Sequence, residues 1–380
     1  MSVIPVHLGA ARDASHDVVL GRGVLAELPR LLRERCPAHR YAVVTDSRVA
    51  TLYGDRVLGL LREAGLAADV FTFPAGEWNK VRETWGAVCD QLVDAGIGRD
   101  GAIVALGGGV AGDLAGFAAA TLHRGIPYVQ VPTTVLAMVD AAVGGKVGLD
   151  LPAGKNLVGA FHPPRLVLAD IETLTTLPRN QIAAGCAEAI KHGVVADAEY
   201  AGAVGHAAAA CLARSPAALE PLVERSIRIK AEIVAADTLE SGRRQILNFG
   251  HTVGHALEAC GGFSLLHGEA IAIGMAVEAS LAEAAGLAVP GTRARLLALL
   301  RPYDLPSTVP PVFDADDLLK AMRNDKKARA GVVRFALPHT IGTMAHSDDG
   351  AWTVEVESAR IREAIEANRE PPDLPTMATS

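Results

Sequence analysis

The segment NFGHTVGHALEACGG sets His251 and His255 four residues apart, with Glu258 one turn further on. On a helix such positions share a face, so two imidazoles would be presented together. Imidazole nitrogens ligate divalent metals, and they also move protons near neutral pH. The spacing matches the H-E-x-x-H zinc helix, although the glutamate of that motif is missing. Upstream, Arg244 and Asn248 continue the series in steps of four and three, and the run reads as one polar stripe on a helix carrying Leu247, Val253 and Leu257 elsewhere. A solvated helix face carries Lys and Glu rather than Asn-His-His, so the stripe points to a ligand. Spacing alone selects His251 and His255 as paired metal ligands. His267 in LHGEA with Glu188 in AEAIKHG is an equally lawful choice, since zinc takes nitrogen and carboxylate oxygen alike.

Cations cluster around these candidates. Lys191 follows Glu188 by one helical turn, and Lys230 and Glu240 precede the stripe. In the middle of the chain, Asp140 precedes Gly144-Gly145-Lys146, and Lys155-Asn156 follows Gly154. Lysines in glycine-rich loops suit phosphate or carboxylate groups. A single loop lysine is ordinarily just solvated; two of them together with Arg124 favour an anionic ligand.

The elements that must position these groups fall into two textures. Over the first 180 or so residues, apolar strands (YAVVTD 41–46, ADVFTF 68–73, GAIVALGGG 101–109, YVQVP 128–132, RLVLAD 165–170) alternate with amphipathic helical runs. That alternation predicts a parallel, doubly wound sheet with ligands at the strand carboxyl ends. ALGGGVAGDLAG fits G-x-G-x-x-G at Gly107, Gly109 and Gly112, after a strand and opening a helix. It follows the third strand rather than the first and lacks an acid some 20 residues on, so it reads as a variant nucleotide site or an ordinary tight turn. Asp46 could hold a ribose, and Asp113 is uncomfortably close to a pyrophosphate unless it contacts something else. From about 181 to 303 the periodicity is helical, and GVVRFALP (331–338) is a late β element. Pro178 marks the change, which divides the chain into an α/β domain over 1–179 and a helical domain over 180–380.

Composition narrows the classes. The net charge of −7, with both signs mixed and no basic stripe, argues against nucleic acid as a partner. No apolar run reaches the roughly 18–20 residues that span a bilayer, and no signal-peptide pattern opens the chain, so a soluble cytoplasmic protein is expected. Five scattered cysteines without CxxC spacing argue against a disulfide framework or a cysteine zinc site.

The segments GGGVAGDLAGFAAATLHRGIPYVQVPTT, VDAAVGGK, GKNLVGAF, AEAIKHG, NFGHTVGHALE, LHGEAIAIGM and DKKARAGVVRFALP, in this order, resemble the 3-dehydroquinate synthase family of sugar phosphate cyclases. The resemblance runs from about residue 40 to 345. It implies an N-terminal Rossmann-like α/β domain and a mostly helical C-terminal domain that binds metal and substrate. It also implies NAD, one divalent metal (zinc or cobalt) and a homodimer. The implied reaction converts 3-deoxy-D-arabino-heptulosonate 7-phosphate to 3-dehydroquinate and phosphate in the shikimate pathway. Oxidising an alcohol acidifies the neighbouring C–H, phosphate leaves, the hydride returns, and an internal aldol step closes the ring.

Carried over by motif, the metal ligands are Glu188, His251 and His267, while His255 transfers a proton toward the leaving phosphate. The resemblance thus overrides the pairing of His251 with His255. Arg244, Asn248, Lys230, Lys191 and Asp140 would hold the carboxylate and hydroxyls, and Glu240 would assist proton transfer. Lys146, Asn156 and Lys326 or Lys327 would clamp the phosphate, with Arg124 contributed by a partner subunit. NAD would lie against Asp46, Glu77, Lys80, Gly107, Gly108, Gly109, Asp113, Thr133, Thr134, Lys155 and the TLTT segment from Thr173 to Thr176.

Three positions depart from the family pattern: Val147 where threonine is usual, Asp150 where asparagine is frequent, and His192 in place of a common tyrosine. They leave room for another cyclase, such as aminodehydroquinate synthase. Cyclases acting on carboxylate-free sugars need no clamp like Arg244, Asn248 and Lys230. A metal-dependent polyol dehydrogenase would need no phosphate clamp, so Lys146, Lys155-Asn156 and Lys326-Lys327 count against it.

Overall fold

The structure is a computed structural model that describes residues 15–152, 154–262, 264–324, 333–347 and 349–369. Strands β1 (Asp17–Gly21), β2 (Tyr41–Asp46), β3 (Ala68–Phe73), β4 (Ala102–Gly107) and β5 (Tyr128–Pro132) precede a hairpin of β6 (Lys146–Leu151) and β7 (Gly154–Phe161), and β8 (Leu166–Asp170) follows. Six of these build one sheet in the order β1-β8-β5-β4-β2-β3, parallel at every pairing. Every residue of β4, β5 and β8 is buried, as a parallel sheet covered on both faces requires. Helices α1 (Leu28–Arg35) and α2 (Asp55–Glu63) cover one face with Leu28, Leu32, Val57 and Leu61. Helices α3 (Arg82–Asp94) and α4 (Gly109–Thr121) cover the other with Val88, Leu92, Leu114 and Ala118.

The strand order contains one reversal. From β2 the chain steps outward to β3, then returns to the far side of β2 as β4. The crevice between the carboxyl ends of β2 and β4 is therefore the topological switch point, where open α/β sheets bind ligands. Asp46 ends β2 and Gly107 ends β4, so the acid and the glycine loop face each other there.

The second half is helical: α5 (Arg179–Ala196), α6 (Pro216–Ala236), α7 (His251–Cys260), α8 (His267–Ala284) and α9 (Ala315–Asn324) carry what matters for the site. Helix α8 is central, and small residues let its neighbours touch its backbone. A Cβ on Gly274 would lie 2.0 Å from the Gly250 carbonyl, and one on Gly268 would lie 1.9 Å from the Ala184 carbonyl. No described helix is long and apolar enough to cross a membrane.

Two local expectations are corrected. The stripe from Arg244 to His255 is not on one helix: Arg243–Asn248 forms a 3₁₀ turn, and Gly250 at φ 79° breaks the run before α7 begins at His251. A left-handed residue cannot continue a helix, and glycine takes that conformation without steric cost. The two lysines of the middle stretch are also not in loops. Lys146 opens β6 and Lys155 lies near the start of β7, in an antiparallel hairpin. Its glycines hide the strand pattern, because Gly148 and Gly159 sit where a Cβ would strike the opposite strand, at 2.6 Å from the Val158 carbonyl and 2.4 Å from the Val147 carbonyl. The late element divides into short pieces, with Arg334–Phe335 pairing with Val354–Glu355 and Pro338–Thr340 with Thr343–Met344; residues 331–332 lie outside the described residues.

Candidate active site

Glu188 on α5, His251 at the start of α7 and His267 at the start of α8 converge. Glu188 Oε1 lies 3.4 Å from His251 Nε2 and 3.3 Å from His267 Nε2. Glu188 is fully buried, and among the described residues its Oε1 receives no hydrogen bond of sound geometry. A buried carboxylate oxygen facing two imidazole nitrogens at 3.3–3.4 Å is a donor set that fits a divalent cation. Two other groupings of donors lie nearby, His255-Glu258-His267 and Asp140-Glu188-His192. All three carboxylates carry an ammonium, but Lys191 holds Glu188 by Oε2 and leaves Oε1 to the imidazoles. In the other two groupings the lysine sits on the very oxygen that faces the histidine: Lys155 Nζ is 2.8 Å from Glu258 Oε1, and Lys230 Nζ is 2.8 Å from Asp140 Oδ1. The set Glu188, His251 and His267 is therefore the one best suited to metal. His255 stands beside it, its ring 5.2 Å from that of His251 and nearly perpendicular to it.

The imidazole of His267 is also gripped from behind, its Nδ1 lying 3.2 and 3.3 Å from the two oxygens of Glu258. Burial opposes charge on this ring, but the Glu258 and Glu188 carboxylates outweigh it and push its pKa up to about 9. Burial likewise opposes charge on Glu258, and His267 and Lys155 overcome it, holding the carboxyl well below its ordinary range. A metal arriving at His267 must displace a proton.

A cationic shelf adjoins this cluster. Lys191, one turn along α5, pairs with Glu188 and lies 3.9 Å from Asp140. Lys230, from α6, donates to the Asp140 carboxylate and carbonyl. Asp140 sits in a π-helical turn, Ala137–Ala141, that swings its side chain toward α5 and α6. Burial pushes the Asp140 carboxyl up, and Lys230, Lys191 and His192 overcome this and hold it well below its ordinary range. Arg244 is buried, donating to the Thr238 carbonyl at 2.7 Å and to the Gly144 carbonyl at 3.4 Å. Gly144, at φ 105°, leaves the guanidinium room, since a Cβ there would lie 2.7 Å from Arg244 Nη2. Glu240 joins Lys146 to Asn248: it pairs with the lysine and accepts the Asn248 amide at 2.9 Å. Its own backbone is left-handed, φ 61°, a conformation uncommon for a residue with a Cβ.

The nucleotide-side candidates gather at the switch point and along the hairpin. At Gly107 (φ 148°) a Cβ would lie 2.7 Å from that of Ala111 and 3.6 Å from Asp46 Oδ2; at Gly108 it would lie 3.2 Å from the methyl of Thr134. Helix α4 begins at Gly109 with no side-chain cap, leaving its first N–H groups facing this bare turn. Thr133 donates its N–H to the Gly107 carbonyl, which holds β5 against the loop. Asp46 caps the next turn, accepting N–H groups from Arg48 and Val49. Asp113 makes the contact its position demands, since Lys80 Nζ is 2.5 Å away and the same ammonium donates to Asn156 Oδ1. Burial disfavours charge on Lys80, and the Asp113, Glu77 and Asp150 carboxylates outweigh it. Glu77 pairs with Lys155 at 2.9 Å. Thr173 and Thr176 surround the Tyr53 hydroxyl, which donates to the Thr173 carbonyl and lies 2.7 Å from Thr176 Oγ1.

Some candidates are not brought together. Lys146 and Asn156 belong to opposite ends of the hairpin, and their side chains have different partners, Glu240 and Lys80. Arg124 follows α4, which runs 13 residues away from the glycine loop, about 20 Å. It is exposed at the amino-terminal end of the central strands β4 and β5, where its neighbour His123 donates to the Ile97 carbonyl. Lys326 and Lys327 lie outside the described residues.

The departures from the family pattern have local explanations. Val147 is buried against α4, its Cγ1 filling the space that Gly116 leaves, and so points away from the lysines. Asp150 accepts the Asn156 N–H at 2.8 Å and lies 3.9 Å from Lys80. His192 is wholly buried between Ser226 Oγ, 2.7 Å from its Nδ1, and Asp140, 3.5 Å from its Nε2. Sequence reasoning left Glu258 without a role; its one visible signal is that it continues the His251-His255 helix face by three residues. A cavity of about 530 Å³ opens beside His255, between Lys155 and Leu157 of the hairpin and Ala259, Cys260, Lys320 and Ala321 of α7 and α9.

Comparison with known proteins agrees with this architecture. The pattern described as 3-dehydroquinate synthase N-terminal matches residues 70–184, and 3-dehydroquinate synthase C-terminal matches residues 185–328. A 3-dehydroquinate synthase from Symbiobacterium thermophilum is 49% identical over 359 residues, 94% of this chain and 99% of that one. Among solved structures, the 2-epi-5-epi-valiolone synthase of Streptomyces hygroscopicus subsp. jinggangensis, with NAD+ and Zn2+ bound, superposes with a TM-score of 0.85 at 31% identity, covering 95% of this chain and 99% of that one. A 2-deoxy-scyllo-inosose synthase complexed with carbaglucose-6-phosphate, NAD+ and Co2+ also gives a TM-score of 0.85, at 28% identity, covering 93% of this chain and 97% of that one.

Proposed function

The chain belongs to the 3-dehydroquinate synthase family, and we propose that the converged site divides that enzyme's reaction among its residues as follows. The reaction is the conversion of 3-deoxy-D-arabino-heptulosonate 7-phosphate to 3-dehydroquinate and phosphate. The single observation that carries the reading is the convergence of Glu188, His251 and His267 next to Lys191, Lys230 and Arg244. It unites a metal-ready donor set with cations suited to a substrate that carries two anionic groups, a carboxylate and a phosphate.

Glu188, His251 and His267 would hold zinc or cobalt, and the glycine loop with Asp46, Glu77, Lys80, Asp113, Thr133, Thr134, Lys155 and Thr173 to Thr176 would hold NAD. When bound, the metal polarises a substrate oxygen and the nicotinamide accepts and returns a hydride. The protein's own residues do the rest. Arg244, braced by two carbonyls, receives the substrate carboxylate, and Asn248, Lys191, Lys230 and Asp140 orient the hydroxyls. Lys146 is paired with Glu240 here; a phosphate would compete for that ammonium and free the Glu240 carboxylate for proton transfer. His255, beside the donor set and at the mouth of the cavity, serves the departing phosphate. Holding the flexible chain at both ends keeps its reacting carbons close, which raises their effective concentration for ring closure. Arg124, exposed and a 13-residue helix away from the glycine loop, would serve a neighbour's site in a homodimer. Two domains meeting at residue 179 or 180 and a cytoplasmic location complete the reading.

The test incubates pure protein with the heptulosonate phosphate, NAD+ and Zn2+. Phosphate release matched by dehydroquinate, without net NADH, is expected. Steady accumulation of NADH without phosphate would overturn the reading in favour of a dehydrogenase.

A further inference from the structure

Glu258 is a buried carboxylate to which no step of the reaction falls. It faces two partners from different parts of the fold. Lys155 Nζ, from β7, is 2.8 Å from its Oε1, and His267 Nδ1, from α8, is 3.2 Å from the same oxygen and 3.3 Å from the other. Lys155 is itself held on its other side by Glu77, at 2.9 Å. The result is a continuous line, Glu77–Lys155–Glu258–His267, that passes from the turn after β3, through the hairpin, to the imidazole facing Glu188. Glu258 and Lys155 side chains are 2% and 6% exposed, so water does not substitute for either partner.

An imidazole that offers Nε2 to a cation must carry its proton on Nδ1, and an anionic acceptor at Nδ1 selects that tautomer, fixes the ring plane and makes Nε2 more basic. Glu258 meets each of these conditions. It is not itself suited to be a ligand, because an ammonium already lies on the oxygen it would use.

We propose that Glu258 is the positioning residue for His267, holding its ring and proton so that Nε2 is presented to the metal, with Lys155 pinning the carboxylate in place from the opposite half of the fold. The inference rests on the reading of Glu188, His251 and His267 as ligands. It predicts a graded response. Glu258→Gln keeps an oxygen that accepts Nδ1–H but removes the charge, and Glu258→Leu removes both.

The experiment measures Zn2+ and Co2+ affinity by competition with a chromophoric chelator, without substrate, and records the visible spectrum of the Co2+ forms. Both variants are first checked against the starting protein by urea unfolding of the metal-free form. Affinity is expected to fall about tenfold for Glu258→Gln and about a hundredfold for Glu258→Leu, with an altered cobalt band in the leucine variant. Glu258→Leu binding either metal as tightly as the starting protein, with an unchanged cobalt spectrum, overturns the proposal. So does abolition of binding by Glu258→Gln to the level of His267→Ala, which would make Glu258 a ligand. The His251→Ala and His267→Ala variants, run in parallel, separate this result from the functional reading: if they retain the metal, the ligand set itself is wrong.

Discussion

The carboxylate of Glu278, buried in α8, accepts the backbone N–H of Gly250 at 2.7 Å. It also accepts the N–H groups of Thr252 and Val253 at 3.1 and 3.2 Å, so that one side chain satisfies the exposed start of α7 around His251. Anionic acceptors are favoured at helix N-termini, and charge-assisted bonds are the stronger ones. Glu278→Ala should therefore destabilise the protein by about 3 kcal/mol, since it strips several buried donors of their partner. Urea unfolding followed by circular dichroism would measure this, and a change under 1 kcal/mol would contradict it.

Glycines in the helical half divide into those that permit contact and those that do not. Gly274→Ala and Gly268→Ala each place a methyl about 2 Å from a backbone carbonyl, against which no side-chain rotation helps. Each should lose at least about 3 kcal/mol and metal affinity as well, because α7, α8 and α5 bear the donor set. Gly202→Ala, in a helix with nothing within 4 Å of the new methyl, should instead stabilise by about 0.5–1 kcal/mol. Thermal melts of the three variants test the opposite signs together.

Asp237 organises the loop that carries Glu240 and Arg244, accepting N–H groups from Ser241, Gly242 and Arg244. What burial it has raises its pKa, and these donors outweigh it, so the folded value lies below the ordinary one. A group depressed in this way contributes stability above its unfolded pKa, about 4, and loses it as pH falls through the folded value. Carbon-13 titration should place this carboxyl below the ordinary aspartate value. Asp237→Asn should raise KM more than it lowers kcat, because the carboxylate clamp loosens; an unchanged KM would show that the loop holds Arg244 without it.

The cysteines should differ sharply in reactivity. Burial pushes the Cys36 and Cys89 thiols up to about 11, and Cys186 and Cys211 are enclosed in the core. Partial burial and Asp317 push the Cys260 thiol up as well, but it is exposed and lines the cavity beside His255, so access sets it apart. N-ethylmaleimide at pH 8 should therefore modify Cys260 first and slow phosphate release, while Cys260→Ser should resist inactivation. Peptide mapping by mass spectrometry would identify the modified site, and rapid labelling of Cys36 in the native protein would contradict the assignment.

Much of the α/β half was legible because its strands are short apolar runs bounded by turns: the limits expected for β2, β3 and β5 coincide with those observed. The hairpin was not, because glycine at the points of strand contact removes the alternation on which strand reading depends. In the site, residue types and helical spacing pointed to Arg244, Asn248, His251 and His255. They could not show that Gly250 splits the run, nor choose among donors that approach only in three dimensions. Glu258 and Glu278 illustrate the remaining gap. Each is an ordinary glutamate on an apolar helix until its partners, Lys155 and His267 for one and the amides around Gly250 for the other, arrive from distant sequence.

The interlocked glycines of β6 and β7 have a consequence for how such chains can vary. Side chains alternate along a strand, so gaining or losing one residue within the strands between 147 and 155 would turn the side chains that follow to the opposite face. Lys155 would then point away from Glu77 and Glu258 while Lys146 stayed where it is. The hairpin can absorb changes of residue type, as Val147 illustrates, whereas a change of length before Lys155 would have to be taken up by an irregularity such as the register shift between Leu149 and Leu151.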